Sequence, residues 1–178
     1  MEDDYDYLCM LSNLNTLKKI KKDLLLSFKK FPTTIMWLEE GERIISIVPT
    51  KDGEHLGIIS KKSQLLLFAE WELRPMWKGA AGVTAIALKE WDEVASLFRY
   101  KDEEFILVFT ENSALLLNID DLKISRRAKA WQLAATIKLS EQMLWALPIN
   151  EGNIRVKLSN GELKTIHNDT MKLDEPES

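Results

Sequence analysis

The sequence predicts an all-β, propeller-like fold of about three and a half to four blades, each of four short strands. Three observations carry this. The chain repeats every 48 to 50 residues, so that Leu8, Leu56, Ile106 and Ile154 fall in register. At fixed offsets after these come Ser12, Ser60, Thr110 and Leu158, then the turn-type residues Asn15, Ser63, Ser113 and Gly161, then Leu17, Leu65, Leu115 and Leu163. Apolar runs of four or five residues alternate with polar turns, the spacing of strands in hairpins. In the first three units this run–turn–run pattern occurs twice, which makes four strands per unit.

The units cover residues 7–53, 54–104, 105–152 and 153–173, a single domain over 7–173 with acidic tails at 1–6 and 174–178. Each opens with a hairpin; in the second unit this is residues 56–60, a turn at 61–64 and residues 65–68. The fourth unit has the sharpest turn signal, Asn160-Gly161. A polar connection leads to a second strand pair, with first strands at 34–38, 84–88 and 135–139 and closing strands at 44–48, 94–98 and 145–147. Residues 14–26, rich in Leu and Lys and without proline, would suit an amphipathic helix in isolation, but the repeat register assigns them to strand. The fourth unit supplies one hairpin only. The unpaired strand edges this leaves favour self-association or pairing with a partner domain.

With 178 residues, 46% of them hydrophobic, the chain can bury a core of its own. The longest apolar runs, such as 106–109 and 114–117, are too short to span a bilayer, so no membrane partner is expected. The acidic N-terminus lacks the pattern of a secretory signal. The single cysteine, Cys9, excludes an internal disulfide, and together these features point to a cytoplasmic location. Cys9 lies in an apolar run and reads as a packing residue. The net charge is −4, yet seven acids (Glu2, Asp3, Asp4, Asp6, Asp174, Glu175 and Glu177) sit at the ends; the middle holds 24 basic residues against 21 acidic ones.

The second unit carries a family resemblance. Its residues 58–63 and 74–94, including Arg74, Lys78, Gly82-Val83, an apolar strand ending at Leu88, the acidic turn 89–92 and a closing strand from Val94, are similar to the repeats in the C-terminal domain of bacterial type IIA topoisomerase A subunits, those of DNA gyrase and topoisomerase IV. The resemblance extends from about Tyr7 to Leu173. It implies a β-pinwheel, a propeller-like disc whose blades exchange strands, that binds and bends duplex DNA on a basic rim and works beside the topoisomerase catalytic core or B subunit. The catalytic tyrosine of that family lies in a separate domain, so no enzyme activity is implied for this chain alone. The Gln-Arg-Gly-rich box of gyrase is not visible here, which makes the chain look closer to the topoisomerase IV type. No cofactor is implied.

Holding duplex DNA without reading its sequence needs lysines and arginines spaced along the phosphate backbone. Three clusters offer them. Residues 18–30 contain Lys18, Lys19, Lys21, Lys22, Lys29 and Lys30; the second-unit loop contains Arg74 and Lys78; the third-unit loop contains Lys123, Arg126, Arg127 and Lys129. The DNA-binding set expected from these is Lys29, Lys30, Arg74, Lys78, Lys123, Arg126, Arg127 and Lys129. The bland alternative is that such loops are merely solvated. His55 and His167 lie at strand ends and read as surface residues; neither has a neighbour at metal-ligand spacing. Carboxylate clusters such as Glu39-Glu40 and Asp120-Asp121 fall in turns, where solvation accounts for them. Trp37, Trp91 and Trp145 read as core or inter-blade packing. Trp77 and Trp131, beside the basic loops, either pack beneath their own loops or face a partner. A protein-interaction module on the same scaffold is the alternative function, favoured by the acidic balance and the six tryptophans.

Overall fold

A computed structural model describes residues 4–62, 64–125, 135–136, 140–150, 153–157 and 161–167. Every predicted opening hairpin is present: β1 (Tyr7–Ser12) with β2 (Thr16–Lys21), β4 (His55–Ser60) with β5 (Gln64–Ala69), β8 (Phe105–Thr110) with β9 (Ala114–Asn118), and β12 (Asn153–Lys157) with β13 (Leu163–His167). The hydroxyl that recurs in the first three units closes each turn. Ser12 Oγ accepts from the Thr16 amide at 3.2 Å, Ser60 Oγ from Gln64 at 2.9 Å, and Thr110 Oγ1 from Ser113 at 2.9 Å.

Leu8 pairs with Ile20, Leu56 with Phe68 and Ile154 with Ile166, but Ile106 pairs with Leu117, one residue nearer. The third turn is thus tighter, and Leu115 is not the structural counterpart of Leu17 and Leu65.

The closing strands β3 (Ile44–Thr50), β7 (Val94–Tyr100) and β11 (Met143–Ile149) pair with β1, β4 and β8. All three pairings carry an irregularity at the same place, where Ser12, Ser60 and Thr110 meet the start of the closing strand. Such a bulge sharpens the local twist.

The remaining strands depart from expectation. Residues 34–38 form no strand, and 84–88 contribute only to β6 (Val83–Thr84). Of 135–139, residues 135–136 form β10 (Ala135–Thr136), and 137–139 lie outside the described residues. Nor do these strands pair within their own unit. β6 joins β2 of the preceding unit and β10 joins β5, giving sheet orders β3-β1-β2-β6 and β10-β5-β4-β7; the other described sheets are β11-β8-β9 and β12-β13. The chain can cross from one sheet to the next because Gly82 adopts φ +92°, and a Cβ there would stand 2.9 Å from the Leu17 carbonyl oxygen. Where the ladder stops, the Asn15 carboxamide takes over, donating to Ile86 O at 2.7 Å and accepting from Ile86 N at 3.1 Å.

Cores lie between successive sheets. Cys9, Leu11 and Leu17 pack against Leu56, Ile58 and Leu66; Ile59, Leu65 and Phe98 pack against Ile106 and Val108. The other face of the first sheet is covered from within its own unit. There residues 14–26 leave the strand at Lys21 and form α1 (Lys22–Leu26), whose Leu24 and Leu25 pack on Met10, Ile20 and Met36. This corrects the strand assignment for the end of that segment.

Cys9 is fully buried, and burial pushes its thiol up to about 12, so the packing role holds. His55 begins β4 but is half-buried and stacked on Tyr100, 5.0 Å between ring centres, so it is not simply a surface residue. Trp37 and Trp91 do not pack in the core: they are 69% and 81% exposed. Both lie in connections outside the sheet ladder, where there is no facing sheet to cover them. Trp145 is partly exposed and stacks on Phe109 at 4.2 Å. Among the described residues no helix is long and apolar enough to cross a membrane.

Candidate nucleic-acid interface

The basic segment at 18–30 divides into two functional parts. Lys18 and Lys19 are buried in the middle of β2. Lys18 Nζ donates to the carbonyls of Lys78 at 2.8 Å and Ala80 at 2.7 Å, and burial lowers its pKa. Lys19 forms a buried ion pair with Glu70 of the next unit and lies 3.9 Å over the Tyr7 ring. Glu70 also accepts from Thr50 Oγ1 at 3.1 Å, and burial still raises its carboxyl above the ordinary range. Neither lysine can reach a ligand. Their work is to seat the following loop: the Met76 amide donates to Lys19 O at 2.8 Å, and Lys18 holds the stretch from Lys78 to Ala80.

That seat presents Arg74 and Lys78, both exposed, on the outer surface. Lys78 Nζ lies 5.5 Å from the Phe28 ring centre, which brings the second-unit loop up to the first-unit segment with exposed Lys29 and Lys30. Single-turn helices at Glu70–Glu72 and Ile119–Asp121 follow β5 and β9 in matching positions, and Arg74 and exposed Lys123 stand two residues beyond each. Exposed Asp120 and Asp121 precede Lys123. Arg126, Arg127 and Lys129, with Trp131, lie outside the described residues. The ion pairs among the described residues join Lys19 to Glu70, Lys51 to Asp4, Lys61 to Glu93 and Arg99 to Glu54. None of Lys29, Lys30, Arg74, Lys78 or Lys123 has a carboxylate partner among them.

Trp77 does not pack beneath its loop. It is 75% exposed and lines a groove of about 320 Å³ with Lys21, Leu24, Pro75 and Met76. Lys21 and Leu24 stand outside the set expected from sequence. Their signal comes only from the fold, because the turn from β2 into the short helix carries them to the second-unit loop. Among the described residues no cluster of three or more His, Cys, Asp or Glu could hold a metal ion. What the described surface offers is positive charge without carboxylate partners beside exposed aromatic rings, chemistry suited to a polyanion or an aromatic-rich partner.

No protein-family model matches the chain. In sequence it is similar to the DNA gyrase A subunit of Aminobacterium colombiense, 30% identical over 110 residues that span 62% of this chain and 14% of that protein. It is also similar to the DNA gyrase A subunit of Staphylococcus epidermidis, 27% identical over 140 residues, 77% of this chain and 16% of that protein. In fold it matches the C-terminal domain of DNA topoisomerase IV, with a TM-score of 0.80 and 16% identity, over 98% of this chain and 57% of that one. The resemblance to type IIA topoisomerase C-terminal domains is thereby borne out, with a topoisomerase IV domain among the structural matches. The chain spans about one seventh of the length of the curated relatives it matches.

Proposed function

We propose that this relative of the topoisomerase C-terminal domains is a non-catalytic accessory domain that holds or bends duplex DNA on its post-hairpin loops. Lys29, Lys30, Arg74, Lys78, Lys123, Arg126, Arg127 and Lys129 meet the phosphates. The observation that carries the reading is the state of the described cations: exposed and without carboxylate partners among the described ion pairs, with Arg74 and Lys78 on a loop that two buried lysines anchor. Side chains used in this way fix a duplex in place without reading bases. The domain works in the bacterial cytoplasm beside a topoisomerase catalytic core, or a B subunit, that performs the cleavage chemistry. Competition between unrelated duplexes of equal length tests the reading. Equal affinities, weakened alike by Arg74→Ala with Lys78→Ala, support it; strong preference for one sequence, or no effect of the pair, contradicts it.

A second reading rests on the exposed rings. Trp37, Trp71, Trp77 and Trp91 are all at least 68% exposed, and such residues often anchor protein interfaces. Under this reading the surface docks the catalytic subunits, and Trp77→Ala weakens that docking while leaving DNA affinity intact.

A further inference from the structure

Trp77 is 75% exposed although the backbone on either side of it is fixed. The Met76 amide donates to Lys19 O at 2.8 Å, and the Ala80 amide donates to Trp77 O at 3.0 Å. Lys18 Nζ, buried beneath, donates to Lys78 O at 2.8 Å and Ala80 O at 2.7 Å. The ring is therefore not exposed because its loop is loose. A hydrogen-bonded turn from Trp77 to Ala80, seated on β2, holds it outward. Leaving so large an apolar ring in water forgoes the free energy of burying it. A ring held out in this way is set for an occupant that stacks on it.

The groove beside the ring states what that occupant is. Leu24, Pro75 and Met76 give it apolar walls, Trp77 gives it a flat aromatic one, and its charged lining residue is Lys21. Arg74 and Lys78, both exposed, stand on either side of the ring in sequence. None of the three cations has a carboxylate partner among the described ion pairs. An apolar slot with one aromatic wall and positive charge at its rim complements a flat ring that carries negative charge with it. An aromatic side chain of a protein would fill the slot and leave the cations unanswered. Bases inside a duplex hide their faces in the stack, whereas a base that has left the stack offers a face to a tryptophan with its phosphates alongside.

We infer that this groove takes an unstacked base, so that the domain engages DNA most tightly where the strands are separated. The base stacks on Trp77, and the phosphates flanking it meet Lys21 and Lys78. The inference rests on the DNA-holding function proposed above and names the form of DNA that the site selects.

Anisotropy with three labelled DNAs of equal length tests this: a plain duplex, the same duplex with a short central run of unpaired thymines, and one whose central run is abasic. The abasic DNA is as flexible as the second but has no rings to stack. The expected result is that the unpaired thymines raise affinity roughly five- to tenfold over the plain duplex, and that the abasic run does not. Trp77→Ala alters an exposed position; it is expected to leave circular dichroism and plain-duplex affinity unchanged while abolishing the preference. Trp77→Phe keeps a ring and retains part of it. Arg74→Ala with Lys78→Ala weakens binding to all three DNAs. Salt-sensitive binding of all three with equal affinity, a preference for the abasic DNA as strong as for the thymines, or a preference that survives Trp77→Ala overturns the inference and leaves the DNA-holding function standing. Failure to bind any of the three at low salt overturns both.

Discussion

Asn15 holds Ile86 by both of its backbone groups, across 71 residues of sequence, with hydrogen bonds of 2.7 and 3.1 Å. Asn15 sits at φ 67°, a conformation asparagine tolerates better than most residues. One side chain therefore both shapes the first hairpin turn and fastens the strand arriving from the second unit. Replacing it with alanine removes two hydrogen bonds and places a methyl group in a left-handed turn. The expected loss is about 2–4 kcal/mol, read by chemical denaturation.

Gly82 lies at the crossing between sheets. Gly82→Ala places a methyl group 2.9 Å from the Leu17 carbonyl and 2.8 Å from Thr16 Cγ2, at a φ of +92°. Stability is expected to fall by roughly 1–3 kcal/mol. Amide exchange is expected to quicken at Val83 and Thr84 more than in the β4–β5 hairpin. Equal protection in wild type and variant would show that the crossing does not depend on this glycine.

The Lys19–Glu70 pair joins the first unit to the second inside the core. Lys19→Met strands a buried carboxylate and is expected to cost about 3–5 kcal/mol at neutral pH. Burial raises the Glu70 carboxyl above 4.5, so the folded chain binds its proton more tightly than the unfolded chain does. The stability from this group is complete below about pH 4.5 and declines as pH rises through the folded value. Glu70→Gln removes that decline. Denaturation of both proteins across pH 4 to 8 is expected to show the stability of wild type relative to the variant falling as pH rises.

Cys9 is sealed in the first core with its thiol pushed up to about 12, so essentially no thiolate exists at pH 8. Aromatic disulfide reagents are expected to label it only at the rate of unfolding, with full labelling in denaturant. Rapid labelling of the native chain would contradict the burial.

The hairpins are legible in the sequence because two local devices recur, the hydroxyl that closes the turn in the first three units and the apolar residue that follows it. The exchanged strands are not. A two-residue strand such as Val83–Thr84 has no periodicity, and its partner, β2, belongs to another unit. Lys18 and Lys19 look like part of a solvated cluster because charge alone does not reveal that carbonyls at 78 and 80 and a carboxylate at 70 await them inside the fold. Size alone assigns Trp37 and Trp91 to the core. They occupy connecting segments whose backbone runs outside the sheets, so no apolar face meets them. Of the candidate interface, the charged loops can be read from the sequence, and the fold adds their anchoring and the groove beside Trp77.

Binding to a labelled duplex of about 35 base pairs, followed by anisotropy over a range of salt concentrations, tests the central claim most directly. The wild type is compared with a variant in which Arg74, Lys78, Arg126, Arg127 and Lys129 are changed to alanine. A DNA-holding surface predicts an affinity whose logarithm falls linearly with the logarithm of salt, and a slope shallower by about 1 for each phosphate that the variant no longer neutralises. Absence of binding at low salt, or a slope that the five substitutions leave unchanged, would contradict it and leave the exposed tryptophans as the surface to pursue.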